Sequence, residues 1–307
     1  MTRYVIRRIL FFIPVLLTVT LFTFVLVRVI PGGPFDRVGD RTLPPEIVAN
    51  LEAKYNLNKP VWQQYLDYLW NLIQFDLGPS FSYRTQTVND IIKASLPISA
   101  HLGLMSLLVG LLIGVPAGCV AALKQNTIVD YTATFIAILS ASIPNIVLGP
   151  ILIWIFALIL GWFPVARWEG PAYWVLPTLA LGTGLSAGIA RLTRGSLLQV
   201  IQSDYIRTAR AKGLRETIVV MRHALKNSLI PVVTVLGPLF AAVLTGGFTV
   251  ETIFGIPGLG RHFTTSIGNR DYPVVLGTTL LYAVLLVVAN LVVDITYAWL
   301  DPRIRYD

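Results

Sequence analysis

Charge is scarce in this 307-residue chain: Asp, Glu, Lys and Arg make up 13% of it, against 55% hydrophobic residues. An ordinary soluble domain carries about 25% charged residues, so a water-exposed globule is excluded as the main architecture. Cysteine is almost absent. Cys119 is the only one, which rules out an intrachain disulfide and any thiolate metal cluster, and it reads as a small apolar residue inside a helix. No G-x-x-x-x-G-K-[ST] occurs, so the chain cannot cradle ATP by that route. If ATP drives this protein, another subunit must hydrolyse it. A net charge of +8 would suggest nucleic acid in a soluble protein; here the membrane takes precedence and no nucleic-acid partner is expected.

What is present is apolar sequence in long runs. Crossing a bilayer takes about 20 apolar helical residues. Six windows free of Asp, Glu, Lys and Arg reach or approach that length: 9–27, 94–123, 131–166, 170–190, 227–250 and 272–293. The first follows Arg3, Arg7 and Arg8 but is longer than a signal-peptide core and lacks a small-x-small cleavage site, so it reads as an uncleaved span. The third is expected to be one long helix, kinked at "SIPN" (142–145), where Pro144 removes a helical hydrogen bond. The fold expected is an all-α integral membrane protein with six transmembrane helices.

Six spans put both termini on one side. That side holds Arg3, Arg7, Arg8, Lys124, Arg303, Arg305 and eight Lys/Arg between 191 and 226, whereas the short opposite loops hold only Arg167, Arg261 and Arg270. Short cytoplasmic loops collect basic residues, so both termini are expected to be cytoplasmic. The chain then divides into a helical extracytoplasmic insert at 31–93, a transmembrane core at 99–300 and a cytoplasmic loop at 191–228, all within a single domain, 1–307. Within the insert, 43–58 and 60–73 carry helical patterns. The aromatic residues of the second pattern read as a packing face or an interfacial belt.

Gly110, Gly114 and Gly118 form a small-residue stripe in the second span, and Gly184 and Gly188 repeat the spacing in the fourth. Both stripes read as helix packing surfaces. "GLSAG" (184–188) matches G-x-S-x-G, but none of His101, His223 and His262 lies at mid-membrane depth to serve Ser186 as a base. No catalytic, cofactor-binding or metal-ligating residue is expected. Glu251 ends the fifth span and is expected to be solvated. The glycines and proline of 251–263 predict a tight turn leading into a short amphipathic helix.

The densest positive charge coincides with the smallest side chains, in "YIRTARAKGL": Tyr205, Ile206, Arg207, Thr208, Ala209, Arg210, Ala211, Lys212, Gly213 and Leu214. On a helix Ile206, Ala209 and Gly213 share a side, with Arg207 and Arg210 beside it. Two readings stand: a loop that grips anionic headgroups, or a docking surface whose Ala and Gly let a partner approach closely.

This stretch resembles the cytoplasmic "EAA" loop of the membrane subunits of binding-protein-dependent ATP-binding-cassette importers, in the form used by the peptide/nickel branch. Gly213 matches the loop glycine, Thr208–Ala209 stand where the general motif has Ala-Ala, and Arg207 stands where it has Glu, as in that branch. "RYVIRRIL", "ALKQNTIVDYT", "IARLTRGSLLQV", "VETIFGIPGLGRHF", "NRDYPVV" and "DPRIRY" are similar to B-type permease subunits of oligopeptide importers, and the resemblance runs the length of the chain. It implies a type I importer permease fold in a bacterial inner membrane and a homologous second permease subunit. It further implies two cytoplasmic ATPases that bind ATP and Mg, and an extracytoplasmic peptide-binding protein. No cofactor is implied in this chain itself. Residues 205–214 would couple to an ATPase, and Glu251, Phe254, Pro257, Gly258, Gly260 and Arg261 would lie at the outer gate near the binding protein. Dipeptides, other short peptides or nickel are alternative cargoes. An ATP-independent channel or secondary transporter would need ionisable residues deep in the spans, where almost none occur.

Overall fold

The computed structural model describes residues 2–30, 32–35, 37, 38, 41, 42, 44–83 and 85–300; Arg303, Arg305 and the "DPRIRY" stretch lie outside them. The regular elements of the described chain are helices, one antiparallel ladder of two-residue strands, β1 (Arg37–Val38) and β2 (Arg41–Thr42), and an isolated bridge between Pro79 and Thr87. The helices in order are α1 (Thr2–Val29), α2 (Pro45–Lys54), α3 (Val61–Ile73), α4 (Val88–Leu123), α5 (Ile128–Ser142), α6 (Asn145–Leu152), α7 (Pro171–Ile201) and α8 (Asp204–Ala211). They continue with α9 (Glu216–Ile218), α10 (Leu225–Ser228), α11 (Ile230–Gly246), α12 (Phe248–Ile253), α13 (Leu259–Gly268) and α14 (Tyr272–Leu300). π-helical turns at Ile153–Ile159 and Val219–Ala224 prolong α6 and join α9 to α10.

Four helical segments are long and apolar enough to cross a bilayer: Leu10–Val29, Val88–Leu123, Pro171–Ile201 and Tyr272–Val292. Two bent pairs, Ile128–Ser142 with Asn145–Ile159 and Glu216–Ser228 with Ile230–Leu244, bring the number to six if each pair is one span. The first pair corrects the expected single kinked helix, because its halves meet at 101°. A proline inside a helix costs one hydrogen bond and bends it. Here Ile143, held extended by the following ring, and Pro144 itself (ψ 143°) both leave the helix, so the chain turns before α6 restarts.

The chain divides into two compact units. The first comprises residues 1–98 and 257–287. In it Phe24 of α1 is buried against Tyr65 and Tyr68 of α3, with ring centroids 5.0 and 6.4 Å away. The other face of α3 leaves Trp62, Leu66, Trp70 and Ile73 exposed. Asp271, fully buried just before α14, accepts hydrogen bonds from the Ser80 hydroxyl and from the backbone N–H groups of Phe81 and Ser82, both at 3.0 Å. The carboxylate thereby ties the loop ahead of α4 to the start of α14.

The second unit comprises residues 99–256 and 288–306. Its axis is α7, which packs against α5, α6 and α11. A Cβ on Gly110, Gly114 or Gly118 of α4 would stand 2.9, 2.7 or 2.5 Å from atoms of α7. These glycines let the two helices meet at backbone distance. Gly184 and Gly188 behave otherwise: both are exposed, with nothing within 4 Å of a Cβ built there. Among the described residues of this unit, none fills the expected packing role opposite that pair. Gly182 takes it instead, facing Val109 and the Ser106 carbonyl of α4.

Candidate functional site

The basic segment after α7 folds back on its own unit. Ser203 leaves the helix in an extended conformation and α8 begins at Asp204. Ile206 and Ala209, one turn apart, are buried in a cluster with Ala122, Leu197, Val219 and Ala224. Their expected placement toward a partner is therefore corrected: that face seats α8 on the chain itself, and the small size of Ala209 suits this internal contact. Tyr205, Arg207, Thr208, Arg210, Ala211, Lys212, Gly213 and Leu214 are exposed. Tyr205 is fixed from behind by the Asn227 amide, which donates to its phenol oxygen at 2.9 Å.

Gly213 ends the helix with φ +77°, and its N–H bonds the Arg210 carbonyl at 2.9 Å. The left-handed conformation favours glycine. No atom lies within 4 Å of a Cβ built there, so the backbone turn, and no crowding in this chain, accounts for the residue. Beyond the turn Glu216 receives a two-pronged bond from Arg210, at 3.0 Å from Nε and 2.6 Å from Nη2. The carboxylate raises the guanidinium pKa further above its ordinary value and fixes its direction. Arg207 meets only Asp204, at 3.6 Å, with both groups open to solvent. The result is a surface helix anchored on one face, whose outward face is basic and polar.

In the same unit Arg194 of α7 grips Asp130 of α5 with two bonds of 2.7 Å, and the Asn126 N–H adds a third at 3.0 Å. Reading the sequence did not single out this pair. The available signal was Asp130 itself, a carboxylate directly bordering an uncharged run.

The expected gate residues fall in both units. In the second, Glu251 is 1% exposed and its Oε1 accepts from the Ser99 hydroxyl at 2.6 Å. This overturns its expected solvation: α12 turns the carboxylate inward to a polar partner. Phe254 is equally buried, and its carbonyl accepts from the Arg167 N–H at 2.9 Å. Gly255 then turns the chain at φ +61°. In the first unit Pro257 and Arg261 are exposed, Gly258 and Gly260 are buried, and α13 follows. The turn and short helix stand where expected.

Ser186 donates to the Thr183 carbonyl at 2.7 Å. His101 packs edge-on to Trp174 and Trp168 at 4.5 and 5.6 Å. Among the described residues no three His, Cys, Asp or Glu side chains are grouped to hold a metal.

Comparison with known proteins adds family to geometry. Residues 114–306 match the model of the binding-protein-dependent transport system inner membrane component, and residues 1–103 match that of its N-terminal region. The chain is 46% identical to the oligopeptide transport system permease protein OppB of Escherichia coli (strain K12), over 100% of both chains. It is also 46% identical to the dipeptide transport system permease protein DppB of Bacillus subtilis (strain 168), over 99% of this chain and 98% of that one. Among solved structures it resembles an inward-facing MetNI methionine ABC transporter, with TM-score 0.55 and 21% identity over 66% of this chain and 93% of that one. An amino acid ABC transporter with histidines gives TM-score 0.54 at 17% identity, covering 67% and 92%. These structural likenesses carry the fold.

Proposed function

The chain belongs to the binding-protein-dependent transport system inner membrane components, and on that premise we propose that it is a permease subunit of an ATP-driven importer of oligopeptides. It is a non-catalytic subunit of a multi-pass membrane complex, paired with a homologous second permease subunit to form the path. ATP and Mg act on two ATPases beneath the pair, and an extracytoplasmic binding protein delivers peptide from outside. Both termini are cytoplasmic, 191–228 is the cytoplasmic loop, 31–93 is the extracytoplasmic insert and 99–300 is the core.

The observation that carries the coupling role is the division of α8 into two faces. Ile206 and Ala209 anchor it to α7 and its neighbours, while Tyr205, Arg207, Thr208, Ala211, Lys212 and Leu214 remain outward. A surface helix locked to a long span passes a push from an ATPase into that span as a rigid-body movement. Arg210 and Gly213 shape its exit. Glu251, Phe254, Pro257, Gly258, Gly260 and Arg261 form the outer gate. The exposed glycines Gly184 and Gly188 give α7 a smooth face for the second permease subunit.

The test is uptake of a labelled tripeptide by cells lacking this chain and by cells with it restored, with co-purification of an ATPase. Restored uptake that needs both the ATPase and the binding protein supports the reading; uptake without either refutes it. Dipeptides are a second cargo reading, favoured by the equal 46% identity to the B. subtilis dipeptide relative. Competition by dipeptides against the tripeptide separates the two.

A further inference from the structure

The first unit holds a cavity of about 230 Å³ among the end of α1, helices α2 and α3, and the start of α14. Its walls include the rings of Phe24, Tyr55, Phe81 and Tyr272. Arg28 and Tyr68 are among the hydrogen-bond donors that line it. The half-buried Arg28 guanidinium stacks 3.4 Å from the centre of the Phe24 ring and donates to the Phe24 carbonyl and the Gln64 amide oxygen, at 3.2 and 2.7 Å. No carboxylate pairs with it among the described residues. The Tyr68 hydroxyl is buried without a hydrogen-bond partner among the described residues. Burial first, and Tyr65 second, push its pKa above the ordinary value, so it remains a donor.

The remaining lining charges do not supply the missing acceptor. Lys54 adds a second cation. Asp67 is engaged by Lys59 at 2.7 Å, and Asp76 accepts the Gly78 N–H at 2.9 Å. A half-buried guanidinium with no counter-ion among the described residues is left partly uncompensated, and its planar fork fits a carboxylate. The volume falls below the range of drug-sized pockets, about 300–1,000 Å³, and suits one amino-acid residue. The aromatic walls suit an apolar side chain.

We propose that this cavity is a second binding site of the importer, taking the C-terminal residue of a short peptide, with its carboxylate on Arg28 and Tyr68 and its side chain among the rings. The inference rests on the peptide-import reading above. The site differs from a transport path between two permease subunits, since one unit of this chain builds it alone.

The experiment is equilibrium binding of radiolabelled Ala-Ala-Phe, and of its C-terminal amide, to the purified transporter complex without the binding protein. The free peptide should bind saturably and the amide at least about tenfold more weakly, the scale of a charged hydrogen bond. Arg28→Gln should weaken the free peptide by a similar factor and leave the amide unchanged. Tyr68→Phe keeps the ring and removes the donor, and should weaken the free peptide about fivefold or more. It decides the matter if Arg28→Gln fails to fold. Absence of saturable binding, equal binding of peptide and amide, or wild-type affinity in Tyr68→Phe overturns the inference. Uptake driven by the binding protein is measured in parallel. Normal uptake with no such binding sinks this site alone, whereas absent uptake sinks the importer reading.

Discussion

Arg194 and Asp130 face each other through two 2.7 Å hydrogen bonds, joining α7 to α5. The Asp130 side chain is 2% exposed and that of Arg194 31%. Removing one partner of a buried pair strands the other, at a cost of about 3–5 kcal/mol when both are buried and less here because Arg194 is partly open. Arg194→Ala should therefore lower the melting temperature of the purified complex and its membrane abundance. Asp130→Asn, which keeps one acceptor, should lower them less. Equal stability of Arg194→Ala and wild type would show that the pair contributes nothing.

The two glycine stripes should respond differently to the same change. Gly118→Val places a Cβ 2.5 Å from the Ala190 carbonyl oxygen, whereas the Cβ of Gly188→Val has no described atom within 4 Å. Overpacking costs about 1–3 kcal/mol, occasionally more. Gly118→Val should reduce thermal stability of the isolated chain in detergent, and Gly188→Val should not. Loss of the second permease subunit on purification of Gly188→Val would support the proposed subunit face. Retention of that subunit with full uptake would reject it.

These stripes also mark how far the sequence was legible. Apolar runs announce themselves because lipid cannot satisfy backbone polar groups, so the six windows map onto four helices and two bent pairs. A four-residue glycine spacing identifies a smooth helix face but not the direction in which it points. Gly114 of α4 faces α7, whereas Gly184 of α7 has no described atom within 4 Å of a Cβ built there, because helix rotation is set by tertiary packing. The same limit explains Glu251, whose partner Ser99 is 152 residues away. It explains Ile206 and Ala209 too, which periodicity put on one face without saying what that face touches. The 101° break was hidden because Pro144 is visible in sequence while the extended torsions on both sides of its peptide bond are not.

His262 gives a pH dependence with a definite sign. Its ring lies 5.5 Å from Tyr83, and its buried Nδ1 has no hydrogen-bond partner among the described residues. Burial, then the Arg261 charge, lowers its pKa below the ordinary value. The unfolded chain thus binds the proton more readily, so this contribution to stability is present above the ordinary histidine pKa, about 6.5, and is lost as pH falls below it. The melting temperature should drop between pH 7.5 and 5.5 in wild type and by a smaller amount in His262→Gln. An identical drop in both would remove His262 as the cause.

Topology is open to a direct labelling test, because a Cys119→Ser background has no other thiol. A cysteine at Asn56, in the proposed extracytoplasmic insert, should react with an impermeant maleimide in intact cells. A cysteine at Ser203, at the start of the basic segment, should react only after permeabilisation. The opposite pattern would place the basic helix outside and end its proposed coupling to an ATPase.

Within that helix, two small residues should fail in different ways. Ala209 is 7% exposed in a close internal cluster, so Ala209→Leu overpacks the chain itself. About 1–3 kcal/mol of destabilisation should appear in the purified chain with no ATPase present. Gly213 is exposed and held at φ +77°. Gly213→Asn, which tolerates the left-handed region, should keep most peptide uptake. Gly213→Val should lose it through backbone strain at the helix exit. Gly213→Trp should leave the lone chain no less stable than Gly213→Val and should lose the co-purifying ATPase if the outward face is the docking surface. Arg207→Ala should be milder, since an exposed ion pair is worth about 1 kcal/mol or less. The measurements are uptake, ATPase co-purification and thermal stability at matched abundance. If Ala209→Leu loses the ATPase with unchanged stability, Ala209 acts on the partner and the internal anchoring of the helix is wrong.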